Sequence, residues 1–315
     1  MIFDRIEGNR DVCNALVGMV DSGKVPHAIL FHEDDGSDGF MVGLAFLEYL
    51  FDGNPRVGKL IHPDIHFVFP TVAGSLSRQY MEQFRKLMLE NPHFTERELN
   101  EAFGIEGKNS VIAVGEAKQL LESLSLSALE GGYRAVFVYL PEKMNQEAAN
   151  RLLKLIEEPP LKTQFVFISH YPEKVLQTIL SRCQRIRIVP SRESSVCRFD
   201  DPSILDDLMG ALVSGNLSEA LEVSDRICAL SSREEVKSFC KFAAERMRQV
   251  FLRQQGLTAL CREESEVLDT WAAGCRKSFP RQALEAFGRM QSLIDRNVST
   301  KILVTDLVDR LFLSI

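Results

Sequence analysis

A chain of 315 residues, 45% hydrophobic and 26% charged, holds enough apolar side chains for a core and enough length for two or three domains. Its net charge of −7 argues against a chain that binds nucleic acid alone, because phosphate contacts need clustered Lys and Arg. The start MIFDRIEGNRDVCNAL has no cationic segment leading into an apolar one, and no apolar run approaches the ~18 residues of a bilayer span, so a cytoplasmic protein without membrane attachment is expected. Seven cysteines without a C-x-x-C pair fit reduced, mostly buried thiols better than a disulfide framework or a zinc site.

In chain order, residues 9–23 carry the apolar spacing of an amphipathic helix, and Ala28 to Phe31 read as a short buried strand. An apolar helix follows from about Met41 to Phe51, then a second strand from Ile65 to Phe69. The polar stretch 71–109 reads as an insertion with helices around Tyr80 to Glu90 and Glu96 to Phe103. Val111 to Val114 form a short strand before a helix from about Gly115 to Leu124, and Ala135 to Tyr139 a third core strand. Asn145 caps the next helix, Gln146 and Glu147 suit its positive first turn, Ala148, Ala149, Leu152, Leu153 and Ile156 make one apolar face, and Pro159 and Pro160 stop it. Phe165 to Ile168 is a fourth strand, and Pro172 opens a short helix through Leu180. Strands alternating with helices imply a parallel sheet covered on both faces.

Beyond Val189 helical periodicity takes over, with a domain boundary near 189–204. Stripes at Val236, Phe239, Cys240, Ala243, Met247, Val250 and Phe251, at Leu284, Phe287, Met290, Leu293 and Ile294, and at Ile302, Leu303, Leu307, Leu311 and Phe312 read as a helical bundle.

The run AANRLLKLIEEPP, then a strand, a Pro-initiated helix and Ser181-Arg182-Cys183, closely resembles the clamp-loader branch of the AAA+ proteins. The resemblance covers most of residues 1–188 and returns where Arg296 to Lys301, RNVSTK, precede the last apolar helix. It implies an α/β fold with an AAA+-type parallel sheet over 1–188, a reduced lid or linker over 189–222, and an all-α collar for oligomerisation over 223–315. The lid is short because Val189 to Gly210 leave room for one short helix.

A phosphate loop closes backbone N–H groups around phosphates, a lysine reaches the outer phosphates, and a hydroxyl holds magnesium. Against the family's H-G-P-x-G-x-G-K-T, this chain has His32 to Phe40, HEDDGSDGF. Gly36 survives, Glu33 and Asp38 replace glycines, Gly39 replaces the lysine and Phe40 the hydroxyl, so four carboxylates stand where a triphosphate would lie and are expected to repel it. Tyr139 and Leu140 fall where relatives carry Asp-Glu, and neither holds a metal or polarises water. Glu142 is expected to be a solvated loop residue, and Ser218 stands where G-x-x-R-x-A-L places a nucleotide-sensing arginine. No ATP, magnesium or zinc is expected, and no activity of the lone chain.

Arg182 ends a short helix with no obvious partner nearby in sequence. By resemblance it is an arginine finger acting in trans on a neighbour's ATP, with Ser181 and Cys183 shaping the turn; the plain alternative is a helix-terminal arginine on backbone carbonyls or a local carboxylate. Arg185 and Arg187 are either solvated or near DNA backbone. His62-Pro63-Asp64 matches a family tripeptide that often follows a four-cysteine zinc module, but the preceding segment has no cysteine. The implied role is a non-catalytic clamp-loader subunit of a replicative polymerase holoenzyme, which helps load the sliding clamp on primed DNA. The implied partners are gamma/tau-type ATPase subunits and a delta-type clamp-opening subunit. An active AAA+ ATPase lacks its lysine, hydroxyl and acidic strand end here, and a DNA-binding regulator is disfavoured by the acidic balance.

Overall fold

The computed structural model describes residues 2–6, 8–105, 109–125, 128–191, 199, 201–230, 232–261, 265–294 and 298–315. They fall into two compact units, Met1–Val196 and Cys197–Ile315.

The first unit runs α1 (Arg10–Asp21), β1 (Ala28–His32), α2 (Gly39–Leu50), α3 (Pro55–Gly58), β2 (Ile65–Val68), β3 (Thr71–Val72), α4 (Met81–Glu90), α5 (Glu96–Ala102), β4 (Ser110–Val111), α6 (Val114–Ser125), β5 (Arg134–Tyr139), α7 (Gln146–Glu157), β6 (Thr163–Ser169), α8 (Gln177–Leu180) and β7 (Gln184–Arg187). Five strands form a parallel sheet in the order β2-β5-β6-β1-β7, and β3 and β4 pair antiparallel beside it. Alternation along the strands feeds two cores. Ile29, Phe31, Phe67, Phe137, Tyr139, Val166 and Ile168 pack with α2 and the insertion, whereas Ala28, Leu30, Val136, Val138, Phe165 and Phe167 pack with α6, α7 and α8. Asn145 caps α7 as its residue type suggests, its Oδ1 accepting the Ala148 N–H at 2.8 Å.

The expected helix from Pro172 to Leu180 is broken. A 3-10 turn covers Pro172–Lys174, Val175 is extended, and α8 starts at Gln177. The break lets Val175, Ile179 and Leu180 all enter the α7-side core.

The second unit contains α9 (Ser203–Val213), α10 (Leu217–Cys228), α11 (Arg233–Gln254), α12 (Glu266–Gly274), α13 (Phe279–Ile294) and α14 (Thr300–Ser314). The expected stripes lie on α11, α13 and α14, except that Ile302 is exposed and Phe251 stands outside the core. Of the expected lid over 189–222, the described helices α9 and α10 belong to the bundle: Leu205, Leu208, Met209, Leu212 and Ala220 share one core with Phe239, Met247, Phe287 and Leu307. A helix pair this short buries its apolar face only against the bundle. Arg296 and Asn297 lie outside the described residues.

Candidate functional site

In open parallel sheets, ligands sit beyond the carboxyl ends of strands where strand order reverses. Here that place is the loop from β1 to α2, beside the end of β6, where the Glu33 N–H donates to the Ser169 carbonyl at 3.0 Å. The loop is filled from within. Glu33 turns inward, is 6% exposed, and accepts the backbone N–H of Gly39 at the start of α2. A Cβ at position 39 would stand 2.6 Å from a Glu33 carboxylate oxygen, so neither lysine nor alanine fits while Glu33 is there. Burial pushes the Glu33 carboxyl well above the usual carboxylate range, the Gly39 N–H opposes this, and Asp35, Asp38 and Asp34 reinforce it. Gly36, at φ +79°, supplies the left-handed turn.

Three of the four carboxyl groups are held by the protein's own groups, Glu33 by the Gly39 N–H and two more as follows. Asp38, 3% exposed, accepts the Ser191 N–H and hydroxyl, each at 2.9 Å, and lies 3.2 Å from His93 Nδ1. Asp35 accepts the Glu96 N–H at 2.9 Å and lies 3.4 Å from His170 Nδ1, while Asp34 is exposed.

The insertion closes over this loop. Phe40 is 2% exposed, with ring centroids 5.6 Å from Phe84, 5.4 Å from Phe94, 4.9 Å from Phe137 and 6.0 Å from Tyr139. An aromatic cluster thus stands where a phosphate loop keeps a metal-binding hydroxyl. Lys143 Nζ, 2.6 Å from Glu96 Oε1, ties α5 to the end of β5.

At that strand end Tyr139 is 2% exposed with its hydroxyl 3.4 Å from His170 Nε2, and burial raises its phenol well above the ordinary value. Leu140 is fully buried and left-handed, at φ 58°. Glu142 is not solvated: it is half-buried, and its Oε1 accepts the N–H groups of His170 at 2.8 Å and Tyr171 at 3.1 Å.

Arg182 has a partner that local sequence did not reveal. Its Nη2 lies 2.6 Å from Glu157 Oε1 at the end of α7, and its Nη1 donates to the Thr178 carbonyl at 2.8 Å and to Ser181 Oγ at 3.2 Å. The side chain remains 36% exposed. Ser181 is exposed, whereas burial pushes the Cys183 thiol up to about 12 and it packs on the α7-side core, so it shapes the turn rather than reacting. Arg185 and Arg187 are exposed on β7.

Ser218 is exposed in the first turn of α10, in the second unit. The His62-Pro63-Asp64 turn does structural work: Asp64 accepts the N–H groups of Leu129 at 2.7 Å and Glu130 at 3.0 Å, and His62 Nδ1 accepts the Asp64 N–H at 3.2 Å. Among the described residues no three His, Cys, Asp or Glu converge as a metal site, and no helix is long and apolar enough to cross a membrane.

The geometry defines an α/β unit of the nucleotide-binding type whose phosphate loop is filled by its own side chains. Residues 8–192 match the family model described as DNA polymerase III, delta subunit, and the chain belongs to that family. It is 30% identical to DNA polymerase III subunit delta' of Yersinia pestis over 53% of this chain and 43% of that one. It is 36% identical to the subunit delta' of Escherichia coli K12 over 28% of this chain and 26% of that one. The chain spans less than half the length of these relatives. A DNA polymerase III gamma subunit-related protein of Thermotoga maritima is similar at 14% identity, covering 96% of this chain and 99% of that one, with a TM-score of 0.41.

Proposed function

We propose that this chain is a delta-prime-like, non-catalytic subunit of a DNA polymerase III clamp loader. It binds no ATP, magnesium or zinc of its own. It docks beside gamma/tau-type ATPase subunits and a delta-type subunit, and its Arg182 reaches a neighbour's ATP while the assembly loads the sliding clamp on primed DNA. The observation that carries this reading is the Glu33 carboxyl on the Gly39 amide, in a loop sealed by Phe40, together with an arginine elsewhere in the unit, Arg182, that remains partly exposed. The backbone group that would receive a phosphate is already engaged. An arginine acting in trans needs no working site of its own, because its planar fork stabilises charge that develops on another subunit's nucleotide. Relatives named as delta' subunits, and a tau/gamma subunit of Haemophilus influenzae at 23% identity over 38% of this chain, support the same setting.

The test has two arms. A labelled ATP analogue titrated into the lone chain should show no saturable binding, and micromolar affinity with magnesium-dependent turnover would sink the reading. In complexes reconstituted with the ATPase and delta-type subunits, Arg182→Ala should assemble normally yet lower DNA-dependent ATP turnover and clamp loading. A finger serving one site is worth roughly 10³ to 10⁵ in rate, diluted in bulk by other sites. Arg182→Lys should rescue poorly, since a point charge lacks the planar fork.

A further inference from the structure

A flexible cationic side chain loses rotamer freedom when it is fixed, so an arginine that must meet a phosphate in one pose gains from being held beforehand. Arg182 is held in this way. Contacts to Glu157 Oε1, the Thr178 carbonyl and Ser181 Oγ engage one edge of the guanidinium and leave Nε–H and a second Nη2–H for another acceptor. Glu157 is the last residue of α7. A carboxylate there faces the negative end of the helix dipole, a position that disfavours it, so helix stability does not account for it. The two ends of the pair are fixed by one core: Leu155 and Ile156 precede Glu157, Ile179 and Leu180 precede Arg182, and all four are buried together.

We infer that Glu157 is a positioning residue for the Arg182 finger, anchoring its inner edge so that the outer N–H groups face a neighbouring subunit's phosphate. The inference rests on the trans-finger reading above. Glu157 touches no nucleotide itself; it acts by narrowing the poses Arg182 samples before assembly, and a misplacement near 1 Å at such a contact costs up to about 100-fold.

The experiment is steady-state ATP turnover by the reconstituted complex, with ATP varied and assembly checked by gel filtration, for Glu157→Ala and Glu157→Gln in wild-type and Arg182→Ala backgrounds. Glu157→Ala should lower kcat by about 10- to 100-fold at the site served, with KM for ATP little changed. Glu157→Gln, which keeps an acceptor oxygen, should retain most activity, and in the Arg182→Ala background Glu157→Ala should have no further effect. If Arg182→Ala has no effect on turnover, the finger reading itself fails. If Arg182→Ala is slow but Glu157→Ala matches wild type, exceeds it, or adds to Arg182→Ala, the finger stands and Glu157 is not its anchor. Should the alanine variant fail to assemble, Glu157→Asp, which keeps the charge on a shorter arm, must lower kcat in the assembled complex. Wild-type turnover in Glu157→Asp overturns the inference.

Discussion

Glu33 and Gly39 are a matched pair: the carboxyl of one accepts the amide of the other and occupies the space any side chain at position 39 would need. The glycine where the resembling family keeps a lysine and the acid six residues earlier are therefore coupled in the structure. Under the proposed reading a nucleotide would be kept out by the Glu33 side chain inside the loop rather than by the repulsion that the four loop carboxylates suggest.

This pairing predicts a non-additive double mutant. A helical glycine replaced by alanine ordinarily gains about 0.5–1 kcal/mol. Gly39→Ala should instead destabilise by about 1–3 kcal/mol, because its Cβ would stand 2.6 Å from the buried Glu33 carboxyl and force it off the Gly39 N–H. Glu33→Gly should remove most of that penalty. Urea unfolding of both single variants and the double variant reads the coupling, and additive effects would mean that the two positions do not meet.

The raised Glu33 carboxyl makes a pH prediction whose sign is fixed. A carboxyl with a folded-state value above its unfolded one supports the fold fully only below the unfolded value, and that support is lost as pH rises through the folded one. Ionised Glu33 therefore costs stability near neutral pH. Glu33→Gln keeps an acceptor for the Gly39 N–H without the charge, so it should be more stable than wild type at pH 7 to 8, and the difference should shrink as pH falls toward the ordinary glutamate value of about 4.3. Melting temperatures at several pH values check this, and a gap that widens on acidification contradicts it.

Phe40 should behave as a core residue. Truncating a ring that meets Phe84, Phe94, Phe137 and Tyr139 at 2% exposure should cost about 3–5 kcal/mol for Phe40→Ala. Phe40→Thr, which restores a hydroxyl, should destabilise comparably and confer no ATP binding while Glu33 remains. Thermal unfolding with analogue titration tests both, and a stable, ATP-binding threonine variant would show that the aromatic plug is dispensable.

How far the sequence foretold these features depended on whether the cause was local. Continuous apolar strands such as Ala135 to Tyr139 and the cap at Asn145 are written in consecutive residues, and each falls within a residue or two of its expected place. The substitutions at Glu33, Asp38, Gly39 and Phe40 were legible as losses, but what filled the space was not. The ring cluster joins residues from 40 to 139, and the Asp38 to Ser191 contact joins residues 153 positions apart that meet only in the folded unit. Glu157 escaped for the same reason: its partner Arg182 lies a full strand and two turns later, although the acidic pair at a helix C-terminus was a usable signal. Glu142 looked solvated because its acceptors' partners, the backbone N–H groups of His170 and Tyr171, carry no side-chain signature.

Chelation should leave the fold untouched. With no three metal-ligating side chains convergent among the described residues, overnight EDTA treatment should shift the melting temperature by less than a degree, whereas a structural zinc site would contribute folding free energy directly. A drop of several degrees, reversed by zinc, would reveal a site assembled from residues far apart in sequence.

The position of the second unit's boundary decides which fragment folds. Leu205, Leu208, Met209 and Leu212 of α9 and Ala220 and Val223 of α10 belong to the core completed by α11, α13 and α14. A cut at 222/223 therefore removes α9 and splits α10, taking Ala220 and the α9 residues out of an otherwise continuous apolar interior, and stripping several buried leucines at about 2–5 kcal/mol each exceeds the stability of an ordinary domain. Residues 197–315 expressed alone should give a helical, cooperatively melting protein, and residues 223–315 an aggregating or molten one. If the bundle is the assembly element, the longer fragment alone should also co-purify with the ATPase subunits while residues 1–196 do not. Circular dichroism melts of the two fragments, followed by co-purification, separate the claims: a well-folded 223–315 fragment refutes the shared core, and a well-folded 197–315 fragment that fails to co-purify assigns assembly to the first unit.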